Sequence, residues 1–303
     1  MRLSKNFPRA AVLLAFAGFV CTAAPDDSGY RASVEKWRQE YEASLKADYG
    51  WLSVSGLFWL HDGENKFGSD PLNDIVLPTA SAPPDAGTFI FHEGEFHKGR
   101  TVVHIKPGVV AMMDGKRVET AELRPDTPDQ IALGDLRLLV HASGDRYAVR
   151  LKDKHSALRR NFAGLRWYPV DESYRVTARF VPYDKPKTVE VQNIMGDTGQ
   201  MTVPGYVVFT LHGQEIRLEP EADGNDFSFV FRDLTSGKET YGAARFLDTT
   251  LSPNGQVILD FNQAYNPPCA YNPYTTCPLP LAQNRLRVHI EAGEKNYVGA
   301  PTH

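Results

Sequence analysis

Three cysteines in 303 residues are too few for a disulfide-dense scaffold. Long apolar runs are missing as well. The longest, Ala10–Val20, has 11 residues, too short to span a bilayer as a helix, so no membrane span is expected. Neither sign of charge dominates: 33 Lys and Arg face 37 Asp and Glu, a net charge of −4. No basic surplus exists to hold a phosphate backbone, so no nucleic acid partner is expected. Several chemical signatures are also absent. There is no Gly-x-Ser-x-Gly elbow, no His-Glu-x-x-His and no Gly-x-Gly-x-x-Gly. Gly237-Lys238 lacks the upstream glycine of a phosphate-binding loop, because Arg232 stands there. Too few His and Cys accompany Cys269 and Cys277 for a zinc site. No metal and no cofactor are therefore expected.

What is present reads first as an address. Arg2, Lys5 and Arg9 precede the apolar run, and Cys21-Thr22-Ala23 supplies small residues at its end. This is the secretory leader pattern, with cleavage expected near Ala23. Lipidation of Cys21 is the alternative, although Val20 fits that motif poorly. Removing residues 1–23 takes away three positive charges and no negative one, leaving −7. The expectation is an exported protein, periplasmic or secreted. Cys21 leaves with the leader, and Cys269 and Cys277 remain as an even pair. In an oxidising compartment that pair is expected to form a disulfide.

Behind the leader, residues 24–47 are expected to hold one amphipathic helix, over roughly Tyr30–Ala47. Val34, Trp37, Tyr41 and Leu45 recur at helical spacing. Their aromatic stripe reads as a docking face. The rest alternates with period two between turn signals such as Asp114-Gly115 and Asn254-Gly255. Strands at that spacing without intervening helices predict a mainly β protein. Residues 48–152 are expected to form a β-sandwich. Residues 160–297 are expected to form a second antiparallel β domain, barrel or sandwich, beyond a charged link with Lys152, Lys154, Arg159 and Arg160. Separate strands are predicted at Tyr174–Pro182, Thr188–Ile194, Gly242–Leu247 and Arg285–Ile290. His92, His97 and His104 read as surface histidines, and Glu294-Lys295 as a solvated tail pair.

The C-terminal part is the most distinctive. Asp260-Phe-Asn-Gln-Ala-Tyr-Asn-Pro-Pro-Cys-Ala-Tyr-Asn-Pro-Tyr-Thr-Thr-Cys-Pro-Leu-Pro, with Ala282-Gln-Asn-Arg-Leu and Phe231-Arg-Asp…Ser236-Gly-Lys-Glu-Thr-Tyr-Gly, resembles a bacterial family known as domain of unknown function 1684. That resemblance implies no activity. Phe67-Gly-Ser-Asp-Pro-Leu-Asn-Asp-Ile-Val-Leu, with Met113-Asp-Gly-Lys-Arg-Val, Leu123 and Leu133-Gly-Asp-Leu, makes residues 67–140 similar to a forkhead-associated sandwich. Such domains hold phosphothreonine with an arginine after the first glycine and a later Ser/His pair. Here Ser69 stands in the arginine's place and Ala86-Gly-Thr-Phe replaces the pair, so no phosphothreonine peptide is expected.

Two polar sets are candidates for chemistry. One is the proline-stiffened segment 260–280, a rigid carrier of amides and hydroxyls that either line a pocket or satisfy the loop's own backbone. The other is Arg232, Asp233, Glu239, Tyr241 and Arg245. On a strand, Tyr241 and Arg245 would share one face, and an inward arginine needs a partner or a ligand. The leading expectation is a small polar or anionic ligand in the C-terminal β domain, held by Arg232, Arg245, Asn262, Tyr265 and Tyr274. The rival is a metal-free hydrolase or transferase with Asp260 or Glu239 as base and Tyr241 or Tyr265 as acid. A third reading is an envelope interaction protein without a small-molecule site.

Overall fold

The N-terminal helix runs over Asp27–Leu45 in the computed structural model, which describes residues 27–94 and 99–299. The leader, Cys21 and His97 lie outside the described residues. Val34, Arg38 and Leu45 form the helix's buried line, one to two turns apart, as the periodicity predicts. Trp37 stacks on Tyr41 with ring centroids 5.5 Å apart, and Tyr41 packs on Tyr265 at 4.9 Å. The aromatic stripe is a docking face, and what it docks against is the proline-rich segment.

Two open sheets follow. One orders its strands Val54–Trp59, Arg146–Asp153, Leu136–Ser143, Ile131–Leu133, Met112–Met113, Lys116–Arg117. The other orders Ile75–Val76, Gly63–Gly68, Gly87–His92, Arg100–Ile105, Thr120–Leu123. Phe67, Phe89 and Val103 from the second sheet meet Leu138, Val140 and Val149 from the first in one core. The alternation that fills this core leaves the odd positions of Leu136–Ser143 on the opposite face. His141 is therefore turned away from the core and toward the rest of the chain.

The second half is built on a long hairpin, Arg175–Gln192 and Thr198–Leu211, flanked by Gln214–Leu218 and Gln256–Asp260. Two of the predicted strands are thus one. The register slips between Pro182 and Lys187, where Pro182 and Pro186 carry no N–H for the ladder. A three-stranded sheet, Glu221–Asp223, Asp226–Phe231 and Arg245–Thr250, packs against it around Phe209, Phe229, Phe231 and Phe261. Among the described residues neither assembly closes into a barrel. Two further expectations are corrected. Residues 285–290 make one bridge at Arg285 and no strand. The strand expected from Gly242 begins at Arg245, because Thr235 O gathers the N–H groups of Lys238, Glu239 and Thr240 into a tight turn just before it.

The tip of the long hairpin reaches the outer face of the first sheet. Asp197 accepts from Arg146 Nε and Nη2 at 2.8 and 2.7 Å and from Ser143 at 2.7 Å. The proline-rich loop joins it there. Ile194 N–H donates to Cys277 O at 2.9 Å, and Asn272 Nδ2 donates to Val54 O at 2.7 Å. A seam between the two cores results.

Candidate functional site

Most of the residues singled out in the C-terminal half are brought together, but by pairing with one another. Arg245 is fully buried. Its Nη1 donates to Asp233 Oδ2 at 2.6 Å and to Ile290 O at 3.0 Å, while Nη2 donates to Ala292 O. Asp260 accepts the Tyr30 hydroxyl at 2.9 Å on both oxygens and the Asn262 N–H at 3.1 Å. Asn262, also buried, spends its amide on Asp171 and Tyr30, and its carbonyl on Arg38. Tyr265 donates to Asp248 at 2.6 Å; burial first, then that carboxylate, push its hydroxyl up. Glu239 accepts from Tyr168 at 3.0 Å, and Tyr241 donates to Cys269 O at 3.4 Å. Arg232 bonds through its backbone, to Asn284 and Leu286. Tyr274 stands at the surface.

The loop amides do the same. Asn272 bonds Trp51 O and Val54 O, and Asn266 bonds Lys295 O. The expected disulfide is not formed in this structure: Cys269 and Cys277 are buried thiols that adjoin, with Cys269 N–H donating to Cys277 Sγ at 3.2 Å. The hydrogen bond to Cys277, with burial, raises the Cys269 thiol.

Glu294 corrects the solvated-pair expectation. It is 1% exposed and accepts from Asn266 N and Nδ2 at 2.9 and 2.8 Å and from Tyr271 at 2.5 Å. Burial pushes its carboxyl up to about 8 against those hydrogen bonds. The reason is Gly293 at φ +79, whose missing Cβ lets the chain press against the carbonyls of Phe261 and Ala264 and carry Glu294 inward.

A different group of side chains lies at the seam, and one of them, Arg150, keeps a buried nitrogen unbonded. Asp126 adopts φ +54, which aspartate tolerates, and its loop is held to the sheet by its N–H on Val140 O. From there Asp126 Oδ1 lies 2.6 Å from His141 Nδ1. The second oxygen accepts Ala142 N–H at 3.2 Å. Across the seam, His141 Nε2 lies 2.7 Å from Thr276 Oγ1. A carboxylate only accepts, so Nδ1 carries the proton and donates to Asp126. In the neutral imidazole Nε2 is then bare and accepts the Thr276 hydroxyl. Burial alone would raise the Asp126 carboxyl; the bond and charge of His141 overcome it and hold it below the usual carboxylate range.

Arg150 shares this face, opposite Leu139 in the ladder. It is 7% exposed, and its Nε has no hydrogen-bond partner. Arg245 and Arg38 each have one such nitrogen but use their others. Among the described residues the Arg150 guanidinium makes no hydrogen bond or ion pair and rests only over the Trp51 ring at 5.5 Å. Burial lowers its pKa, while the charges of Asp126 and Cys277 support it. Lys152, two residues on, is lowered by burial and by Arg150. A buried arginine with an unbonded Nε can bind an anion, and the carboxylate–imidazole–hydroxyl chain beside it can move a proton. Sequence reasoning missed His141, Asp126 and Arg150 because they are separated from Thr276 by more than a hundred residues and match no spacing motif.

A concavity of about 550 Å³ runs along the helix, lined by Glu35, Arg38, Glu42, Lys46, Leu165 and Trp167. Its arginine donates to Tyr168 O and Asn262 O, and Glu42 accepts from Leu165 N–H. The buried Nε of that arginine is unbonded like that of Arg150, but both of its Nη groups are engaged.

Comparison with known proteins gives no activity. A family profile described as a protein of unknown function, DUF1684, matches residues 160–295. The solution NMR structure of an uncharacterized protein from Haloarcula marismortui is 31% identical over 45% of this chain and 78% of that one, with a TM-score of 0.39. The crystal structure of the Slr1951 protein from Synechocystis sp. is 15% identical over 31% of this chain and 82% of that one, with a TM-score of 0.23. No curated protein matches the chain.

Proposed function

Because this chain belongs, through residues 160–295, to a family described only as a protein of unknown function (DUF1684), we propose its role from the chemistry of the seam. The role is that of an exported protein that binds a small anionic ligand between its two cores, with Arg150 as the anchor. The leader pattern of residues 1–23 supports export. The observation that carries binding is Arg150, 7% exposed, whose buried Nε has no hydrogen-bond partner. Burying an uncompensated charge is costly. A ligand carboxylate or phosphate would supply the acceptor that the Arg150 guanidinium lacks. Lys152 and the half-exposed Trp51 ring flank that position and suit a ligand with one charged end and one flat or apolar side. The C-terminal set centred on Arg245 does not support binding as well, because Asp233 and two carbonyls already take both Nη groups of that arginine.

The test is a thermal-shift screen of residues 24–303 against small carboxylates and phosphates, repeated on Arg150→Met. A ligand at 100 times its Kd adds about 2.7 kcal/mol to stability, a shift of several degrees. The reading requires shifts that vanish in Arg150→Met while the free variant melts no lower than the parent. Equal shifts in both proteins, or a variant that simply unfolds earlier, would place Arg150 in the scaffold instead.

A further inference from the structure

The seam holds more than a binding group, and the following rests on the anionic-ligand reading of that same site. We propose that the chain is an acyl hydrolase in which Thr276 is the nucleophile and His141 the general base, acting on small esters whose acyl part carries a carboxylate held by Arg150.

Three relationships carry this. The hydroxyl and the imidazole are within hydrogen-bond reach, Thr276 Oγ1 to His141 Nε2 at 2.7 Å. The imidazole is oriented from behind by Asp126 at 2.6 Å, which fixes the tautomer whose bare nitrogen faces the hydroxyl. Arg150, on the same sheet face as His141, keeps its buried Nε without a hydrogen-bond partner. A histidine held in one tautomer by a carboxylate and aimed at a hydroxyl satisfies the mutual geometry expected of a nucleophile, its base and its orienter. The three residues come from a loop, a strand and a proline-rich segment, each fixed independently. Asp126 is tied to Val140, His141 sits in the ladder opposite Ala148, and Thr276 lies between Cys277, bonded to Ile194, and Thr275, bonded to Asn272.

The chemistry closes without a cofactor. Thr276 Oγ1 bonds to the acyl carbon as its proton passes to His141 Nε2. The C–O bond to the leaving alcohol breaks, and the alcohol departs with that proton. Water then gives a proton to the same Nε2 and its oxygen to the acyl carbon. The bond to Thr276 breaks, the threonine hydroxyl regains the proton, and the carboxylic acid leaves. Ester and water become acid and alcohol. Asp126 is a positioning residue, since it acts through His141.

The probe is 4-nitrophenyl hemisuccinate, with 4-nitrophenyl acetate as its uncharged counterpart. Release of 4-nitrophenolate and the intact mass are followed together, and the adduct is located by peptide mapping. Acylation at Thr276 is expected, with the charged ester preferred. Thr276→Val and His141→Gln should each lower the rate by about 10²–10⁴-fold. Thr276→Ser should still be acylated at the same position, which separates chemistry from folding. Asp126→Asn should lower the rate and displace the pH profile, whereas a structural contact would leave the profile in place. An adduct elsewhere, or a Thr276→Val variant as fast as the parent, overturns the hydrolase. If anions then still shift the melting point through Arg150, the binding reading survives alone. Acylation at Thr276 with equal rates for both esters in the parent and in Arg150→Met would keep the nucleophile and overturn the anionic ligand.

Discussion

His141 Nε2 and Thr276 Oγ1 stand 2.7 Å apart although 135 residues separate them in the chain. Their bond joins the core around Phe89 and Val140 to the segment that the N-terminal helix covers. Whatever its chemistry, it is a tie between two bodies of the fold. In a double-mutant cycle, His141→Gln and Thr276→Val should show a coupling of about 1 kcal/mol, the usual worth of a neutral hydrogen bond. Strict additivity in urea unfolding would mean the pair does not meet in solution.

Arg245 should be one of the most sensitive positions in the molecule. Its removal leaves Asp233 buried and uncompensated, with two carbonyls short of a donor. Arg245→Ala is expected to lose about 3–5 kcal/mol. Adding Asp233→Asn should recover part of that loss. A single variant within about 1 kcal/mol of the parent would contradict the buried pair.

Glu294 gives the fold a pH dependence of definite sign. Its carboxyl, normally near 4.5, is pushed up to about 8 in the folded state. Between those values the folded chain holds a proton that the unfolded chain has released, so stability declines as pH rises. The contribution is fully present below about 4.5, fades through the neutral range and is gone above about 8. The span is on the order of a few kcal/mol. Glu294→Gln keeps an amide in the place of the protonated acid and should flatten that slope in melting curves from pH 5 to 9. A parent protein whose melting point climbs over this range would refute the assignment.

Oxidation of Cys269 and Cys277 is the expected state of exported protein. The thiols adjoin in one loop, and their bond would close nine residues. In the chain-entropy account that adds about 2–3 kcal/mol. Intact mass measured without reductant should show the oxidised pair, and reductant should lower the melting point. Protein purified from the envelope with two alkylatable thiols would end the idea.

The helix Asp27–Leu45 should detach as a unit. Trp37 and Tyr41, stacked on each other, supply its edge-on contact with Trp167 and its tilted contact with Tyr265. Trp37→Ala should cost about 2–3 kcal/mol and strip hydrogen-exchange protection from the helix amides while leaving the strands of the first core protected. Uniform loss of protection everywhere would show that the helix is part of a single cooperative unit.

Much of the architecture was legible. Val34, Trp37, Tyr41 and Leu45 announced a helix and its contact face, and alternation around Phe89, Val103 and Val140 announced strands. Periodicity is a local property, and these elements obey it. The failures are all non-local. Pro182 and Pro186 looked like a strand break but make only a register slip, since the partner strand runs on past them. Glu294 looked like solvent-facing charge, because nothing in Gly-Glu-Lys reveals that Gly293 will be pressed against Ala264. The polar residues of 260–280 were recognised as a group, but whether they serve a ligand or each other depends on partners such as Tyr30, Asp171 and Val54, far off in the chain. The seam was invisible for the same reason: Asp126, His141, Arg150 and Thr276 are individually ordinary, and only the packing of two cores makes them neighbours.

The helix that covers the proline-rich segment also sets an order of events. Arg38 waits for the carbonyl of Asn262, and Tyr41 for that of Asn266, both more than 220 residues downstream. Until that stretch is available, the aromatic stripe has only Trp167 to pack on and stays largely open to water or to a chaperone. Completion of the molecule is thus signalled at its opposite end. A chain stalled or clipped before residue 262 advertises the fact through a bare Trp37 and Tyr41, a mark that quality control can read without inspecting the missing part.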